Sequence, residues 1–562
     1  MGIFRYFRYI TKKYPDSYTT IKRSIIPRNT LSNPDTNGVE CVLFDLNSII
    51  HPCFQKVFEY GHTTESTTFL KNQKQIEIQQ KKDSMTYEEL EVWAFNMVTK
   101  KIEEYVYYTK PTKVIYIAVD GSPGSSKSNQ QRKRRFTNAK NPLNGRFQFD
   151  PNSLTCGTEL MNRLCKHIYL FIKKKKMFDW KSLQIIFSNS HVPGEGENKL
   201  KLWIESEPKY QSMTIISPDG DVIMLAMLIE RNEVNVFREN IFDDIPGDYF
   251  FVNIITLKTS IYQQLRGSCM DSLLYPQRTI KDYVLFHYFL GNDFLPHIPS
   301  LEVNANSIAL LYKCYSENCD QCGFLIEERL SQINICKISF IGLVKNLAKY
   351  ETKMLLDKFN TKTTYPNTLL AQHIIRGEQG NQLDFVQYRK AYYIKKFEIN
   401  YIDDKSFERQ IQAICNEYVI GLTFVLKYYF REIPTYAWQY PYHYAPFLED
   451  LARYGESINF EVRFPYRHPL NVYESLFSVL PRESFPLLPD EVIDSLPSKI
   501  KLDPCFSTDF EVDLEGKMYE YEGTTLLIPL MYDEVKSYFK HVKLTDDQTN
   551  QMIKQRQVYV FK

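Results

Sequence analysis

The sequence lacks the signatures of several protein classes. Its 562 residues contain no uninterrupted apolar run of the roughly 18 residues that a membrane-spanning helix needs. The first residues, MGIFRYFRYITKKYP, include no apolar stretch long enough for a secretory signal. Net charge is also nearly absent, with 69 Lys and Arg against 67 Asp and Glu. This total predicts neither a nucleic-acid binder nor a binder of acidic ligands, so only the distribution of charge is informative.

A disulfide framework is absent as well, because the 11 cysteines are scattered and odd in number. Without a secretory signal, this pattern predicts reduced thiols in an intracellular protein. Cys319 and Cys322 have the C-x2-C spacing of zinc ligands, and Cys314 lies close by. Because a second ligand pair at comparable spacing is missing, we expect free thiols in a loop rather than a zinc site.

What is present is the composition of a large globular protein, 43% hydrophobic and 24% charged. Five short apolar runs alternate with helix-like stretches in the first half of the chain. Nearly continuous apolar strands are typical of a parallel sheet that is buried on both faces. We therefore predict an α/β fold with a mainly parallel central sheet and flanking helices, its strands at Cys41–Leu46, Lys113–Val119, Leu183–Ser188, Met213–Ser217 and Val234–Phe237.

The pattern changes along the chain. Helical patterns are expected at Tyr87–Tyr108, Asn198–Glu205 and Glu408–Phe430, and residues 59–84 have the polar composition of an exposed insertion. From about Leu301 the sequence is mostly helical, and the last hundred residues are proline-rich. We expect four parts: an α/β core over 1–310, a helical linker over 311–400, a second region over 401–460, and a C-terminal extension packing on the core over 461–562.

Acidic residues follow the predicted strands. The carboxyl ends of parallel strands form the ligand crevice of an α/β sheet. Any single acid there is adequately explained as a helix cap or a loop residue. Four consecutive strands that each deliver one or two acids are harder to explain in this way. The predicted cluster consists of Asp45, Asp120, Glu195, Glu197, Asp219, Asp221 and Asp293.

Seven converging carboxylates cannot all stay ionised without a countercharge. Two Mg²⁺ ions would supply it, since Mg²⁺ prefers carboxylate and water oxygens and keeps positions open for phosphates. Such a pair forms a clamp for phosphodiester hydrolysis, in which one ion activates the attacking water and the other stabilises the leaving oxygen. Glycoside hydrolysis needs only two acids, so the surplus favours metal.

A basic segment, KSNQQRKRRF, follows the second strand. Lys127, Gln131, Arg134 and Arg135 are spaced i, i+4, i+7 and i+8, which places them on one face of a helix. Basic donors beside a metal site suit a terminal phosphate. Two other interpretations stay open, a solvated basic helix and a nuclear localisation patch formed by RKRR.

Long motifs in a fixed order carry a resemblance to a known family. They span most of the chain and are similar to the Xrn family of 5′→3′ exoribonucleases. The motifs are FDLNSIIH (44–51), AVDG (118–121), KSNQQRKRRF (127–136), FDPNSLTCGTELM (149–161), PGEGENK (193–199), SPDGDVIML (217–225), GNDFLPHIP (291–299) and WQYPYHYAP (438–446).

The resemblance implies a nuclease core of the PIN and flap-nuclease type. It also implies a Mg²⁺-dependent enzyme, with Mn²⁺ as a substitute, that processively removes nucleoside 5′-monophosphates from 5′-monophosphorylated single-stranded RNA. The seven acids match its metal-binding catalytic residues, and the four residues on the basic helix face match its 5′-phosphate pocket. His51 matches a base-stacking histidine, and Trp438 is the best match to a base-stacking aromatic. Tyr436 stands where the family has a further tryptophan.

The resemblance further implies RNA decay in the cytoplasm, with decapping supplied by another protein and without membrane association. We expect a monomer, although the sequence does not fix the oligomeric state. We also expect a compact form without the long C-terminal domains of the large cytoplasmic members. Richness in Lys, Asn, Ile, Tyr and Phe fits an AT-rich genome such as that of a large DNA virus or a protist.

Two other functions compete with the exoribonuclease. A DNA nuclease of the flap-endonuclease type shares the acidic core and two-metal chemistry. An inactive RNA-binding scaffold would usually have lost acids, and this sequence keeps all seven. The basic segment and the WQYPYHYAP block argue against the flap endonuclease.

Overall fold

The computed structural model describes most of the chain. The described residues are 6–23, 38–61, 73–140, 145–266, 274–329, 332–378, 380–497, 500, 503–546, 548–549 and 557–562.

An eight-stranded mixed sheet is the centre of the fold, in the order β1-β7-β6-β5-β2-β3-β4-β14. Its strands are β1 (Tyr18–Ile21), β2 (Val39–Asp45), β3 (Pro111–Ala118), β4 (Gln184–Ser188), β5 (Ser212–Ile216), β6 (Glu233–Glu239), β7 (Tyr249–Asn253) and β14 (Tyr559–Phe561). Three two-stranded hairpins lie outside it, formed by β8 (Ile326–Arg329) with β9 (Gln332–Ile335), β10 (Ile374–Gly377) with β11 (Gly380–Leu383), and β12 (Glu511–Asp513) with β13 (Thr524–Leu526).

The five central strands, β2 to β6, pair in parallel, which confirms the predicted sheet. Both faces of β2 are buried: Leu43 packs into one hydrophobic cluster, while Val42 and Phe44 pack into another on the opposite face. Parallel strands covered in this way have apolar residues at successive positions, which is the observed sequence pattern. The edges differ, since β1, β7 and β14 pair in antiparallel fashion and were not predicted.

Twenty helices accompany the strands in the described part of the chain. They are α1 (Tyr6–Lys13), α2 (Asn47–Phe58), α3 (Gln73–Asp83), α4 (Tyr87–Thr109), α5 (Ser125–Lys140), α6 (Glu159–Met177), α7 (Gly196–Ser206), α8 (Gly220–Leu228), α9 (Ile254–Leu265), α10 (Pro276–His287), α11 (Ala305–Cys322), α12 (Lys337–Ala348), α13 (Glu351–Asn360), α14 (Thr368–Ala371), α15 (Phe385–Lys396), α16 (Asp404–Phe430), α17 (Leu448–Tyr454), α18 (Val472–Val479), α19 (Asp490–Ser495) and α20 (Tyr532–Phe539). None of them is long and apolar enough to cross a membrane.

Local signals explain where the long helices begin. A capping box formed by Thr86 and Glu89 starts α4, because each side chain accepts a backbone N–H of the other. Asp403 accepts the backbone N–H of Ser406 and starts α16. The helices predicted at Tyr87–Tyr108, Asn198–Glu205 and Glu408–Phe430 are confirmed as α4, α7 and α16.

The helical second half shares a core with the sheet. One hydrophobic cluster runs from Tyr6 to Phe460 and includes both the sheet and α16. A separate cluster, from Leu470 to Phe539, forms the core of the C-terminal part. The divisions at residues 310, 400 and 460 stay predictions.

The insertion and the cysteine cluster differ from their predicted settings. Residues 62–72 of the predicted insertion lie outside the described residues, and the part after them forms α3. Lys82 on α3 is buried and donates to the Lys56 carbonyl oxygen, so this end is packed rather than exposed. Cys314, Cys319 and Cys322 lie on α11, so their expected position in a loop is wrong. The ten described cysteines are free thiols.

Candidate functional site

Two acids from neighbouring strands converge on the start of α7. Asp45 is the last residue of β2, and Asp120 follows β3 by two residues. The backbone N–H of Gly196 donates to Asp120 Oδ1 at 2.6 Å. A Cβ atom at Gly196 would lie 2.5 Å from Asp45 Oδ1, so only glycine lets this carboxylate come so close to the helix. The strand ends therefore bring the two acids together as predicted.

The remaining strand-end acids flank two helix N-termini. Glu195 immediately precedes α7 and Glu197 is its second residue; Asp219 and Asp221 stand in the same positions at α8. The positive end of a helix dipole favours carboxylates there. Ser217 connects acids at the ends of two strands. Its hydroxyl donates to Asp45 Oδ2 at 3.1 Å and accepts the backbone N–H of Asp219 at 3.3 Å.

Lys127 lies between acids from two distant parts of the chain. Its Nζ is 2.5 Å from Glu195 Oε1 and 2.6 Å from Asp293 Oδ2. Gln130, one turn further along α5, donates to the other oxygen of Asp293 at 2.9 Å. The seventh predicted acid is therefore tied to the cluster through the basic helix.

Two tyrosines at the end of α16 also reach the acids. The Tyr428 hydroxyl donates to Glu195 Oε2 at 2.6 Å, and the Tyr429 hydroxyl donates to Asp221 Oδ2 at 3.3 Å. Both side chains are buried. The sequence pattern does not reveal them, since they lie more than 200 residues away from the acids that they contact, in a stretch that has the pattern of an ordinary apolar helix.

The electrostatics of the cluster are those of crowded acids. Burial, followed by the charges of Asp120 and Asp219, raises the pKa of Asp45 well above its ordinary value. Burial and Asp293 raise the pKa of Asp221 to about 7. For Asp293 burial is again the largest influence and raises the pKa, but the ammonium group of Lys127 and further positive charges, among them Arg134, together hold the pKa below its ordinary value.

The chemistry of these side chains fits a divalent cation. Carboxylates supply the hard oxygen ligands that such a cation binds, and its positive charge reduces the repulsion that raises their pKa values. The side chains are not, however, positioned around a common point as metal ligands would be. No group of three or more His, Cys, Asp or Glu side chains in the described part of the chain is arranged so that it could hold a metal ion. The acids would have to turn toward such an ion from their present contacts with Lys127, Ser217 and the tyrosines.

The predicted basic face borders the same cavity as the acids. This cavity, of about 560 Å³, is lined by Lys127, Gln131, Arg134 and Arg135 together with five of the acids, namely Asp45, Asp120, Glu195, Glu197 and Asp219. We call it the acid cavity. Arg135 donates to Asn152 Oδ1 at 3.3 Å and to the Thr155 hydroxyl. The Nε and Nη2 atoms of Arg134 are buried and have no hydrogen-bond partner among the described residues. Unpaired guanidinium donors in a cavity suit an anionic ligand.

The two predicted stacking residues are placed differently. His51 lies on α2 and lines the acid cavity. The surrounding protein, followed by Arg135 and Arg134, lowers its pKa to about 4, so the ring is neutral at pH 7. Trp438 does not line that cavity, and its ring stacks on Phe424 with centroids 4.4 Å apart. Tyr436 lies beside the start of α5, where its backbone oxygen accepts the N–H and the hydroxyl of Ser125, each at 2.9 Å.

Two family models match this chain. A family model described as the XRN 5′-3′ exonuclease N-terminus matches residues 1–240. A second model, the Xrn1 helical domain, matches residues 275–384 and 378–559.

Individual relatives match nearly the whole chain. The 5′-3′ exoribonuclease 1 of Homo sapiens is 26% identical over 94% of this chain and 33% of its own length. The 5′-3′ exoribonuclease 1 of Schizosaccharomyces pombe is 23% identical over 94% of this chain and 47% of its own length. The 5′-3′ exoribonuclease 2 of Debaryomyces hansenii is 24% identical over 94% and 68%.

The chain thus spans a third of the human relative and about half of the S. pombe relative. The two family models together cover both the α/β half and the helical half. The chain therefore belongs to the XRN family of 5′-3′ exonucleases.

Proposed function

We propose that this protein is a 5′→3′ exoribonuclease that hydrolyses 5′-monophosphorylated single-stranded RNA processively to nucleoside 5′-monophosphates. The observation that carries the proposal is the acid cavity, in which the strand-end carboxylates and the basic face of α5 line one space. Acids that suit a divalent cation and donors that suit a terminal phosphate are the two requirements of hydrolysis at a phosphorylated end.

The proposed metal ligands are Asp45, Asp120, Glu195, Glu197, Asp219, Asp221 and Asp293, which would hold two Mg²⁺ or Mn²⁺ ions. The chemistry that these ions supply when bound is activation of the attacking water and stabilisation of the leaving oxygen. The protein's own part is orientation. Lys127 and Tyr428 keep Glu195 and Asp293 beside the acid cavity, and these contacts would be exchanged when the acids turn toward the ions.

The 5′-phosphate is proposed to bind Lys127, Gln131, Arg134 and Arg135. Arg134 contributes buried donors that no described residue satisfies. Arg135 is oriented by Asn152 and Thr155, so its planar group is fixed before a ligand arrives. His51, neutral at pH 7, offers a ring face to the first base. Trp438 stays the predicted second stacking residue.

The setting is proposed on the same basis. The substrate is RNA in the cytoplasm whose cap another protein has removed, and the enzyme acts as a monomer. The four-part division at residues 310, 400 and 460 is part of this proposal. A nuclear location would instead assign the RKRR segment to import, whereas two of its arginines line the acid cavity.

The test is product analysis with uniformly labelled substrates. Purified protein with Mg²⁺ is given single-stranded RNA or a flap DNA, and the products are separated by chromatography. We expect mononucleotides from RNA alone and no product after EDTA is added. Cleavage at the base of the DNA flap would favour the flap endonuclease, and RNA binding without any product would favour the inactive scaffold.

A further inference from the structure

A second cavity lies beside the acid cavity and shares α5 as a wall. It consists of two adjoining spaces of about 640 and 650 Å³, which have Gln130, Asn292, Asp293, Lys517 and Tyr521 in common. We call it the α5 chamber. Its size is that of a small-molecule site. Asp293 and Arg134, which have roles in the proposed function, line it, but the rest of its wall has no role there.

Two lysines of the chamber form no ion pair, although the charges of nearby carboxylates act on Lys517. Neither Lys133 nor Lys517 forms an ion pair or a side-chain hydrogen bond with a described residue, although both line the chamber. Burial lowers the pKa of Lys133 to about 8 and also lowers that of Lys517. By contrast, Lys396 in the same wall is 2.5 Å from Asp513. Half-buried cations that form no ion pair favour a bound anion.

Several other polar atoms of the chamber lack partners. Asn292 Nδ2, His443 Nδ1, Gln130 Oε1 and the Nε and Nη2 atoms of Arg134 are buried without a hydrogen bond to any described residue, and all four residues line the chamber. Buried polar atoms in native proteins are nearly always satisfied, so a group of orphans around one space indicates a polar occupant. Most of these atoms are donors, which selects an occupant rich in acceptor oxygens.

The chamber also has aromatic surfaces. Tyr440, Tyr442 and Tyr444 line its inner wall. At the rim Tyr521 is 66% exposed, and its ring stacks on that of Tyr519 with centroids 5.2 Å apart and an interplanar angle of 7°. Exposed aromatic faces of this kind stack on nucleobases without selecting among them.

We propose that the α5 chamber binds a nucleoside 5′-monophosphate, with the phosphate near Lys133, Arg134 and Lys517 and the base against the tyrosines. The identity of this ligand rests on the proposed function, whose reaction releases such nucleotides. Arg134 and Asn138 line both the acid cavity and the chamber, so the two spaces meet along α5. The chamber would then receive the product on its way out of the acid cavity.

The experiment locates the nucleotide directly. The full chain is irradiated with 8-azidoadenosine 5′-monophosphate, and the labelled peptides are mapped by mass spectrometry. We expect label on residues 513–525, which contribute Tyr521 to the chamber. Excess 5′-AMP should prevent this labelling, whereas adenosine, which lacks the phosphate, should not.

Matched variants test the role of charge. The double variant Lys133→Gln/Lys517→Gln should weaken binding of 5′-AMP about tenfold or more by equilibrium dialysis, because charge-assisted contacts to the phosphate are lost. Lys133→Arg/Lys517→Arg keeps both charges and should keep binding. Lys353→Gln, on the exposed surface of α13, is the control for removal of a lysine and should behave as wild type. Melting curves check that each variant is folded.

Three results would overturn the proposal: label confined to peptides around His51, unchanged affinity in the folded double glutamine variant, and displacement of the label by RNA with a 5′-hydroxyl end. The last result would mean that the chamber holds the RNA strand. A protein that binds 5′-AMP in the chamber but releases no mononucleotide from RNA would contradict the proposed function and leave the binding site standing.

Discussion

The two sides of α5 carry similar residues in different surroundings. On one side Arg134 and Arg135 border the acid cavity. On the other side Arg132 is only 2% exposed, and its guanidinium donates to the backbone oxygens of Ile528, at 2.7 Å, and Cys505. Its guanidinium also lies over the ring of Phe136, 4.6 Å from the centroid.

The hydrogen-bond partners of each basic residue of RKRR, rather than its charge, therefore indicate its role. Arg132 fastens α5 to the C-terminal part of the chain, whereas Arg134 keeps buried donors that no described residue satisfies. Lys133, between them, faces the α5 chamber. Substitutions on the two sides of α5, and of the acids that line the acid cavity together with Arg134 and Arg135, should separate these roles.

Removing an acid that lines the acid cavity should have the largest effect on activity. We expect Asp219→Ala to lower the rate of mononucleotide release by about 10³-fold or more, since it removes charge stabilisation at the reacting phosphate. The fold should survive, because the Asp219 side chain makes no capping hydrogen bond to α8. Release of labelled mononucleotide measures the rate, and thermal melting is the control. Full activity in this variant would remove Asp219 from the site.

On the side of α5 that borders the acid cavity, Arg135→Gln should lower kcat/KM on 5′-monophosphorylated RNA by about 10- to 100-fold. This is the loss expected for charge-assisted hydrogen bonds. The same variant should cleave 5′-hydroxyl RNA at nearly the wild-type rate, because that end offers no phosphate to Arg135. Initial rates on the two RNAs measure the ratio. An equal loss on both would show that Arg135 does not contact the 5′ end.

On the side of α5 that packs against the C-terminal part, Arg132→Gln should change the free energy of unfolding rather than recognition of the RNA 5′ end. We expect a loss of about 1–3 kcal/mol, because two part-buried backbone oxygens lose their donors. The midpoint of urea unfolding measures this loss. The activity of the folded fraction, and its preference for a 5′-monophosphate, should equal those of the wild type. A change of preference would mean that the two sides of α5 are not separate.

An effect that is spread over a range of pH, and is therefore small at each step, is expected at Lys133 as a slope of stability with pH. Its pKa is about 8 in the folded protein, against an ordinary value of 10.5. Between these values the unfolded chain holds the proton that the folded chain has released, so the stability of the wild type rises with pH, by at most about 1.4 kcal/mol per pH unit. Lys133→Met lacks this contribution. The difference in stability between the two proteins should therefore change from pH 8 to 10.5, and parallel curves would contradict the burial of Lys133.

The strand-end acids show how far the sequence leads. Asp45, Asp120, Glu195, Glu197 and Asp219 could be predicted to meet, because buried parallel strands have a recognisable pattern and their carboxyl ends share one edge. The basic face could be predicted in the same way, since helical spacing alone places its four residues together.

Contacts between distant segments could not be predicted. Tyr428 reaches Glu195, and β14 joins the sheet beside β4, through long-range packing that leaves no local signal. The separation of Arg132 from Arg134 depends on where residues 505 and 528 pack. Trp438 illustrates the same limit: its motif indicates a stacking residue, while the fold stacks it on Phe424.

We propose that the acid cavity holds a 5′-monophosphate end beside its carboxylates. This proposal is tested most directly with one RNA labelled at its 5′ end and prepared with either a monophosphate or a triphosphate. Each form is incubated with the protein and Mg²⁺, with EDTA as the control, and the products are resolved. We expect labelled mononucleotide from the monophosphate form alone, abolished by EDTA. Internal fragments, or equal attack on both ends, would contradict it.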